Sequence, residues 1–303
     1  MQENFDDLFT NEGQYKTQGA PQYEQLSKED FAAKMKAERE KLLGLAETTA
    51  TSIAENSESF QSYLKTLSRF ERYSAHNTLL IHAQKPDAVR LGSYDSWHNA
   101  GTPVAKGAKG ISIYEPGKEY ERDDGLIGVS MNIKKVFDIS QTYAKNKPAQ
   151  ENTHDIRTLL KAIMNNSPVP IKLADSIDDG VGARYDENQN MIFVEKGLDG
   201  NSLFRCITQE VAYAYLYKQD AVTPTFEDIG FIAHATSYTL CEKYGIDTKG
   251  YDFSEVSEYF RDKDSKEVIG ELKTIGDMTH EIAGRMAKEL NPPQKDTRVH
   301  DAR

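Results

Sequence analysis

Residues 202–217 carry the most constraining pattern in the sequence, an apolar helical segment that keeps a few polar side chains on one face. Val211, Tyr215 and Leu216 recur at helical spacing, which predicts a helix packed into a core. Gln209 and Tyr213 are four positions apart and therefore share a face. A core helix is the ordinary interpretation, and the polar face allows a second one.

The second interpretation is a metal-peptidase helix that has lost its metal ligands. Such helices carry His-Glu-x-x-His, because imidazoles at positions i and i+4 can bind one zinc ion while the glutamate polarises the metal-bound water. Here the five positions read Gln209-Glu210-Val211-Ala212-Tyr213, so the glutamate is present and both histidines are absent. An amide oxygen and a phenol with an ordinary pKa of about 10 are poor zinc ligands. We therefore expect no cofactor, with zinc held by an unusual ligand set as the alternative, and a catalytic role for Glu210 only under that alternative.

Length and composition limit the class of protein. A chain of 303 residues suggests two domains. The sequence has no run of 18 apolar residues, and its acidic start lacks an apolar stretch, so we expect neither a membrane span nor a signal peptide. Two cysteines, Cys206 and Cys241, are too few for a disulfide framework, which favours a cytoplasmic protein.

The net charge of −11 is unevenly distributed along the chain. Residues 51–150 carry 13 basic and 11 acidic side chains, whereas residues 151–303 carry 18 and 27. A polyanion would therefore meet the middle of the chain most easily. The acidic C-terminal half fits either ordinary solubility or contact with a basic partner.

Hydrophobic periodicity divides the chain into segments of helical and mixed character, which predicts the α+β class. Ser27 and Ser57 are predicted to cap the first two helices, and Asp186 to Asn190 to form the turn of a hairpin. The predicted segments are a polar arm and amphipathic helix (1–55), a helix-plus-β-hairpin domain (56–143), a linker (144–154), a second domain (155–291) and a polar tail (292–303).

The middle segment mixes basic and aromatic side chains in a way that suits single-stranded nucleic acid. Lys and Arg would follow the phosphates while rings stack on the bases, at about 1–3 kcal/mol per stacked base. The alternative is that the aromatic residues are core and the basic ones are solvated. The candidate contacts are Arg69, Arg72, Lys106 and Lys109 for phosphates, and Tyr73 and Trp97 for bases.

Three strings in this segment resemble the N-terminal domain of ArdC-type antirestriction proteins, which are found on conjugative plasmids and integrative elements. The resemblance implies single-stranded DNA binding and adds Asn77, inside the first string, to the candidate contacts. The strings are Tyr73-Ser74…Asn77…Leu79-Leu80-Ile81…Gln84-Lys85-Pro86-Asp87-Ala88, then Trp97…Gly101…Val104…Lys106-Gly107…Lys109-Gly110-Ile111, then Val136-Phe137-Asp138-Ile139-Ser140-Gln141-Thr142.

The second domain is similar to the zincin-like metallopeptidase domain of the same family. The order of strand, short polar link and helix around Ile192–Val194 and Glu210 carries this likeness. The family places a further acidic ligand on the next helix, at or near His234 here. The resemblance thus implies a degenerate metal site at Gln209, Tyr213 and His234.

These observations predict a single-stranded DNA-binding, antirestriction-like accessory protein of a mobile element, with an inactive peptidase-like domain. Its partners would be single-stranded DNA and, as a further candidate, a host defence or conjugation protein. One alternative is a divergent zinc metallopeptidase that uses Glu210. Another is an acidic interaction module that occupies a DNA-binding partner.

Overall fold

The computed structural model describes residues 27–121, 125–144, 154–177, 180–218 and 226–291. The predicted arm, the predicted tail and most of the predicted linker lie outside these ranges. The chain divides into two compact units, residues 1–40 and residues 41–303. Across the described ranges, none of the helices has the length and apolarity needed to cross a membrane.

In the first unit, Ser27 caps the start of helix α1 (Lys28–Ala54). Its Oγ accepts a hydrogen bond from the Asp30 N–H at 3.0 Å, which confirms the predicted cap. The α1 residues from Lys41 onward belong to the second unit, where Leu42, Ala46, Ala50 and Ile53 are buried.

The second unit combines helices with two small sheets, which confirms the α+β class. Its further elements are α2 (Ser57–Phe70), α3 (Ala75–Gln84), β1 (Leu91–Ser93), α4 (Tyr94–Asn99), β2 (Ile111–Glu121), β3 (Ile127–Asp138), α5 (Ile156–Asn165), β4 (Ile171–Ala174), β5 (Ala183–Asp186), β6 (Met191–Glu195), α6 (Gly200–Lys218), α7 (Phe226–Tyr244), α8 (Val256–Tyr259) and α9 (Ser265–Leu290).

Helix α2 begins one residue earlier than its predicted cap requires. Asn56 is the cap, because its side-chain oxygen accepts the Ser59 N–H at 2.9 Å, while Ser57 is the first helical residue. Asn and Ser are both good caps, so neighbouring candidates are not separable from sequence. The prediction of Ser57 was therefore wrong by one position.

The first sheet has the order β1-β3-β2 and is antiparallel. Helix α3 covers the inner end of its edge strand β2 with two side-chain amides. Asn77 exchanges hydrogen bonds with the backbone of Tyr114 at 2.8 and 2.7 Å, and Gln84 does the same with Ser112 at 3.0 and 2.9 Å. These amides stand where the backbone of another strand would otherwise pair.

The second sheet has the order β4-β6-β5, with β4 parallel and β5 antiparallel to β6. The predicted hairpin is confirmed as β5 and β6, and Asn190 in its turn has a φ of +50°. Asn tolerates this left-handed conformation better than most residues. The hairpin leaves β5 as an edge strand beside α6.

One large apolar core joins elements from both predicted domains within the second unit. Phe60 of α2 packs against Phe231 of α7 and Phe253, with ring centroids 5.4 and 5.2 Å apart. At the end of α2, Glu71 pairs with Lys243 of α7 at 2.9 Å, and both side chains are largely buried. Helix α7 therefore connects the two predicted domains, whose boundaries stay a prediction.

Candidate functional site

The polar face of α6 lines a cavity of about 740 Å³. Ser202, Arg205, Gln209 and Tyr213 follow one another at a spacing of three to four residues, so they share this face. The other walls come from β5 and the loop before it, from α7 and from the segment around Tyr251. The cavity brings together the four positions singled out in the sequence: Gln209, Glu210, Tyr213 and His234.

Glu210 is turned toward the edge strand of the second sheet. Its Oε2 accepts the backbone N–H of Tyr185 at 2.7 Å. Burial raises the pKa of this carboxyl to about 7, against the opposing effects of the Tyr185 N–H and of Arg184. A carboxyl with such a pKa can exchange a proton near neutrality, which a general base requires.

Gln209 and His234 contact each other across the α6–α7 interface. The Gln209 Oε1 and the His234 Nδ1 are 3.0 Å apart. The imidazole packs against Tyr251 and Phe253, with ring centroids at 4.9 and 5.0 Å. Burial lowers the pKa of His234, opposed by the backbone and charge of Asp252, so the ring is neutral at neutral pH.

Tyr213 remains a neutral phenol. Its hydroxyl donates a long hydrogen bond of 3.5 Å to Glu187. Burial, together with the carboxylates of Glu187 and Glu210, raises the pKa of Tyr213 to about 12. A phenol with this pKa does not supply the phenolate that metal binding needs.

The donor set at these positions does not fit a divalent metal ion. It consists of a neutral amide, a neutral phenol and one imidazole, so only the His234 Nε2 is a good metal ligand among these three side chains. Within the described ranges, no three His, Cys, Asp or Glu side chains are grouped so that they could hold a metal. Metal affinity requires deprotonated, convergent ligands, so the residues present do not support a metal-dependent step.

A second concave surface lies between the α2–α3 turn and the first sheet. It encloses about 580 Å³, and its lining includes Arg72, Tyr73, Asn77 and Lys134. Arg72 is exposed, whereas Tyr73 is half-buried and packs edge-on against Phe70 at 5.8 Å. We call this surface the groove. Of the predicted nucleic-acid contacts, Arg72, Tyr73 and Asn77 line it.

Two other predicted contacts, Arg69 and Asn77, are bonded to the protein backbone. Arg69 donates from Nη2 to the carbonyl of Pro86 at 2.5 Å, and burial lowers the pKa of its guanidinium. Asn77 is buried, and its amide is occupied by both hydrogen bonds to Tyr114. In this structure both side chains hold the walls beside the groove.

Trp97 lies in the core, with 5% of its surface exposed. Its indole N–H donates to the Phe137 carbonyl at 2.8 Å, and its ring covers Gly92, where a Cβ would collide with the indole. The Trp97 ring is thus held against β1 and β3.

Lys106 and Lys109 are exposed on the loop before β2. Backbone hydrogen bonds fix that loop, because Gln141 donates to the Lys109 carbonyl at 2.7 Å and the Lys106 N–H donates to the Tyr143 hydroxyl at 3.3 Å. Both ammonium groups therefore extend from an anchored loop.

The structure adds residues that sequence reasoning did not assign to a site. Lys134 lines the groove and forms an ion pair with Glu115 across the β2–β3 hairpin. Arg205 lines the cavity four positions before Gln209. That spacing was a usable signal for Arg205, and Lys134 belongs to the mixture of basic and aromatic residues that marks the middle segment in sequence.

Comparison with known proteins finds a family model that matches part of the sequence and solved structures that match the fold. Residues 36–163 match the family model of the N-terminal domain of anti-restriction factor ArdC. The Mn(II)-bound crystal structure of antirestriction ArdC protein from plasmid R388 matches with a TM-score of 0.54 and 15% identity, over 82% of this chain and 99% of that one. The metal-free form matches with a TM-score of 0.49 and the same identity, over 72% and 85%.

A curated relative extends the comparison to another organism. The uncharacterized protein pXO2-81 of Bacillus anthracis is 22% identical over 323 aligned positions, which cover 86% of this chain and 53% of that protein. The chain thus spans about half the length of this relative.

The α+β fold of this chain resembles that of the R388 ArdC protein. At 15% identity the Mn(II)-bound crystal structure shows similarity of the fold alone, and the family model adds a sequence relationship for residues 36–163. Residues 36–163 are thus similar to the N-terminal domain of anti-restriction factor ArdC, and the fold of the chain is ArdC-like.

Proposed function

We propose that this protein binds single-stranded DNA through the groove and its surroundings, as an antirestriction-like accessory protein of a mobile element. The observation that carries the proposal is the pairing of Arg72 and Tyr73 at the groove, a cation next to an aromatic ring. A guanidinium can neutralise a phosphate while a neighbouring ring stacks on a base. The occurrence of ArdC on plasmid R388 supports the link to mobile elements.

The predicted contacts divide into two roles under this proposal. Arg72, Tyr73, Lys106 and Lys109 would touch the nucleic acid, because the charged three are exposed and the tyrosine lines the groove. Trp97, like Arg69 and Asn77, would act indirectly, since its polar group already bonds to the backbone.

The same proposal assigns no peptide turnover to the α6 cavity. Glu210 is hydrogen-bonded to the Tyr185 backbone, and Gln209 and His234 are bonded to each other. Bound Mn(II) is described for the R388 protein. In this chain the side chains at 209, 213 and 234 argue against a metal there.

The test is fluorescence anisotropy of a labelled single-stranded oligonucleotide, from low to physiological salt. We expect tighter binding to the single strand than to duplex and a steep loss with salt, because phosphate contacts release counterions. Arg72→Ala should reduce the magnitude of the salt slope by about 0.7. Tyr73→Leu should weaken binding roughly 5- to 150-fold, the equivalent of about 1–3 kcal/mol for one lost stack.

Matched variants make this experiment decisive. Tyr73→Phe keeps the ring and should bind like the wild type, and Arg157→Ala removes an exposed cation on α5 that does not line the groove. Equal affinity for all four variants, or no binding at low salt, would remove the proposal. A basic protein partner in place of DNA would then support the acidic interaction module.

The divergent peptidase remains the second candidate because Glu210 has a pKa of about 7 inside a large cavity. Elemental analysis of protein purified without added metal separates the two candidates. Stoichiometric metal that is lost in Tyr213→Phe and retained in Glu210→Gln, which removes the base and no ligand, would favour the peptidase. Absence of metal together with DNA binding would favour the first proposal.

A further inference from the structure

Arg205 is a cation in the α6 cavity, and most N–H donors of its guanidinium make no hydrogen bond to another described residue. It carries five N–H donors. Its Nη2 donates to the Ser202 Oγ at 3.2 Å. Throughout the described ranges, no carboxylate oxygen lies within 4.0 Å of it, the distance that defines an ion pair.

The nearby carboxylate of Asp199 is committed to the start of α6. It accepts the N–H groups of Asn201 and Ser202 at 3.0 and 3.2 Å and the Ser202 hydroxyl at 2.6 Å. Asp199 is also outside the lining of the cavity. The remaining guanidinium donors of Arg205 are therefore not satisfied by this residue.

Gly250 leaves room for the guanidinium of Arg205. A Cβ at that residue would collide with the Arg205 Nη1. Gly250 does not have a positive φ, so the glycine serves space and not backbone conformation. The chain thus leaves a gap that seats the guanidinium against the cavity wall.

We propose that Arg205 is the recognition residue of a binding site for a carboxylate-bearing organic ligand in the α6 cavity. A guanidinium matches a carboxylate with two parallel N–H···O hydrogen bonds. Ser202, Gly250 and Arg205 form the end of the site that would bind the ligand carboxylate. The phenol rings of Tyr213 and Tyr251 supply apolar surface for the organic part.

Charge balance selects a monoanion over phosphate. The cavity also contains Glu187 and Glu210, and Arg184, the other cation on its wall, acts electrostatically on Glu210. A dianion would meet two carboxyl groups with one cation left to neutralise it. A single carboxylate adds half the negative charge of a dianion beside these carboxyl groups and can still accept both hydrogen bonds from Arg205.

The cavity is of a size that suits such a ligand. Sites for small organic molecules enclose about 300–1,000 Å³, with a few polar groups that fix orientation. The 740 Å³ of this cavity fall in that range. This site shares no residue with the groove, so the proposal can be tested independently of DNA binding.

The test compares N-acetylglycylphenylalanine as the free acid with its C-terminal amide. Titration followed by saturation-transfer NMR should show at least tenfold tighter binding of the acid, because the amide cannot accept the paired guanidinium bonds. Equal affinity for acid and amide, or no binding of the acid up to millimolar concentration, overturns the proposal. Inorganic phosphate that displaces the acid at lower concentration than acetate overturns the choice of a carboxylate.

Variants assign the effect to Arg205. Arg205→Gln should remove the preference for the acid, and Gly250→Ala should weaken acid binding by displacing the guanidinium while keeping its charge. Arg157→Gln, a change of the same kind on the exposed face of α5, should leave the preference intact. An unchanged preference in Arg205→Gln would refute the assignment, and thermal unfolding of each variant excludes loss of the fold as the cause.

Discussion

Replacement of Glu210 by Gln should make the protein more stable at high pH and little changed at low pH. Burial raises the pKa of this carboxyl from 4.5 to about 7 in the folded state. The folded protein therefore holds the proton more tightly than the unfolded chain does. The contribution of Glu210 to stability is full below pH 4.5 and is lost as the pH rises through 7.

The size of the effect follows from the shift in pKa. At 1.36 kcal/mol per unit, ionisation of Glu210 lowers the free energy of unfolding by about 3 kcal/mol at pH 8 and by about 1 kcal/mol at pH 5. A Gln side chain does not ionise, and its Oε1 can still accept the Tyr185 N–H. The variant should thus exceed the wild type by about these amounts.

Urea denaturation of both proteins at pH 5 and pH 8 measures the difference. Glu119→Gln, on the exposed β2 strand, is the control and should show no such pH-dependent gain. If the advantage of Glu210→Gln is the same at both pH values, or larger at pH 5, the argument that burial controls Glu210 is refuted.

Three further substitutions test contacts that hold the fold around the groove. Glu71→Ala leaves the ammonium of Lys243 buried without its partner and should cost about 3–5 kcal/mol in urea denaturation, whereas Glu71→Ala with Lys243→Met should recover much of it. Asn77→Ala removes both bonds to Tyr114 and should cost about 2–3 kcal/mol, with faster hydrogen exchange of the Tyr114 amide; unchanged exchange would contradict the role of Asn77 on β2. Trp97→Phe removes the indole N–H bond to the Phe137 carbonyl and should cost about 1–3 kcal/mol in thermal unfolding; an unchanged melting temperature would contradict the structural role of that bond.

Local sequence patterns were enough to predict much of the secondary structure. The Ser27 cap and the hairpin around Asn190 were both predicted and are present. Caps and turns depend on a side chain and its own neighbouring backbone, so a few residues decide them. The one-residue error at Ser57 arose because Asn56 offers the same local chemistry.

The contents of the two candidate sites were only partly predictable. The spacing of Gln209 and Tyr213 predicted that they share a helical face, and both line the cavity together with Glu210. Sequence could not show that Glu210 reaches the backbone of Tyr185, because that contact spans 25 positions and depends on how β5 lies beside α6.

The predicted nucleic-acid contacts also show that sequence does not reveal contacts between distant residues. Basic and aromatic residue types made Arg69, Tyr73 and Trp97 equal candidates in sequence. The packing distinguishes them. Trp97 is buried with its ring against Gly92, and Arg69 is bonded to the Pro86 carbonyl, whereas Tyr73 lines the groove.

The sequence by itself determined which chemistry this protein can offer. It supplies a glutamate without the two histidines of a zinc helix, and cations interleaved with rings in the middle segment. Only the tertiary structure decided which of these groups are available. Asn77 and Trp97 are buried, and their polar groups are bonded to the protein backbone. Arg72 is exposed, and Arg205 lies in a cavity. Availability depends on contacts between residues far apart in the chain, and local periodicity does not encode those contacts.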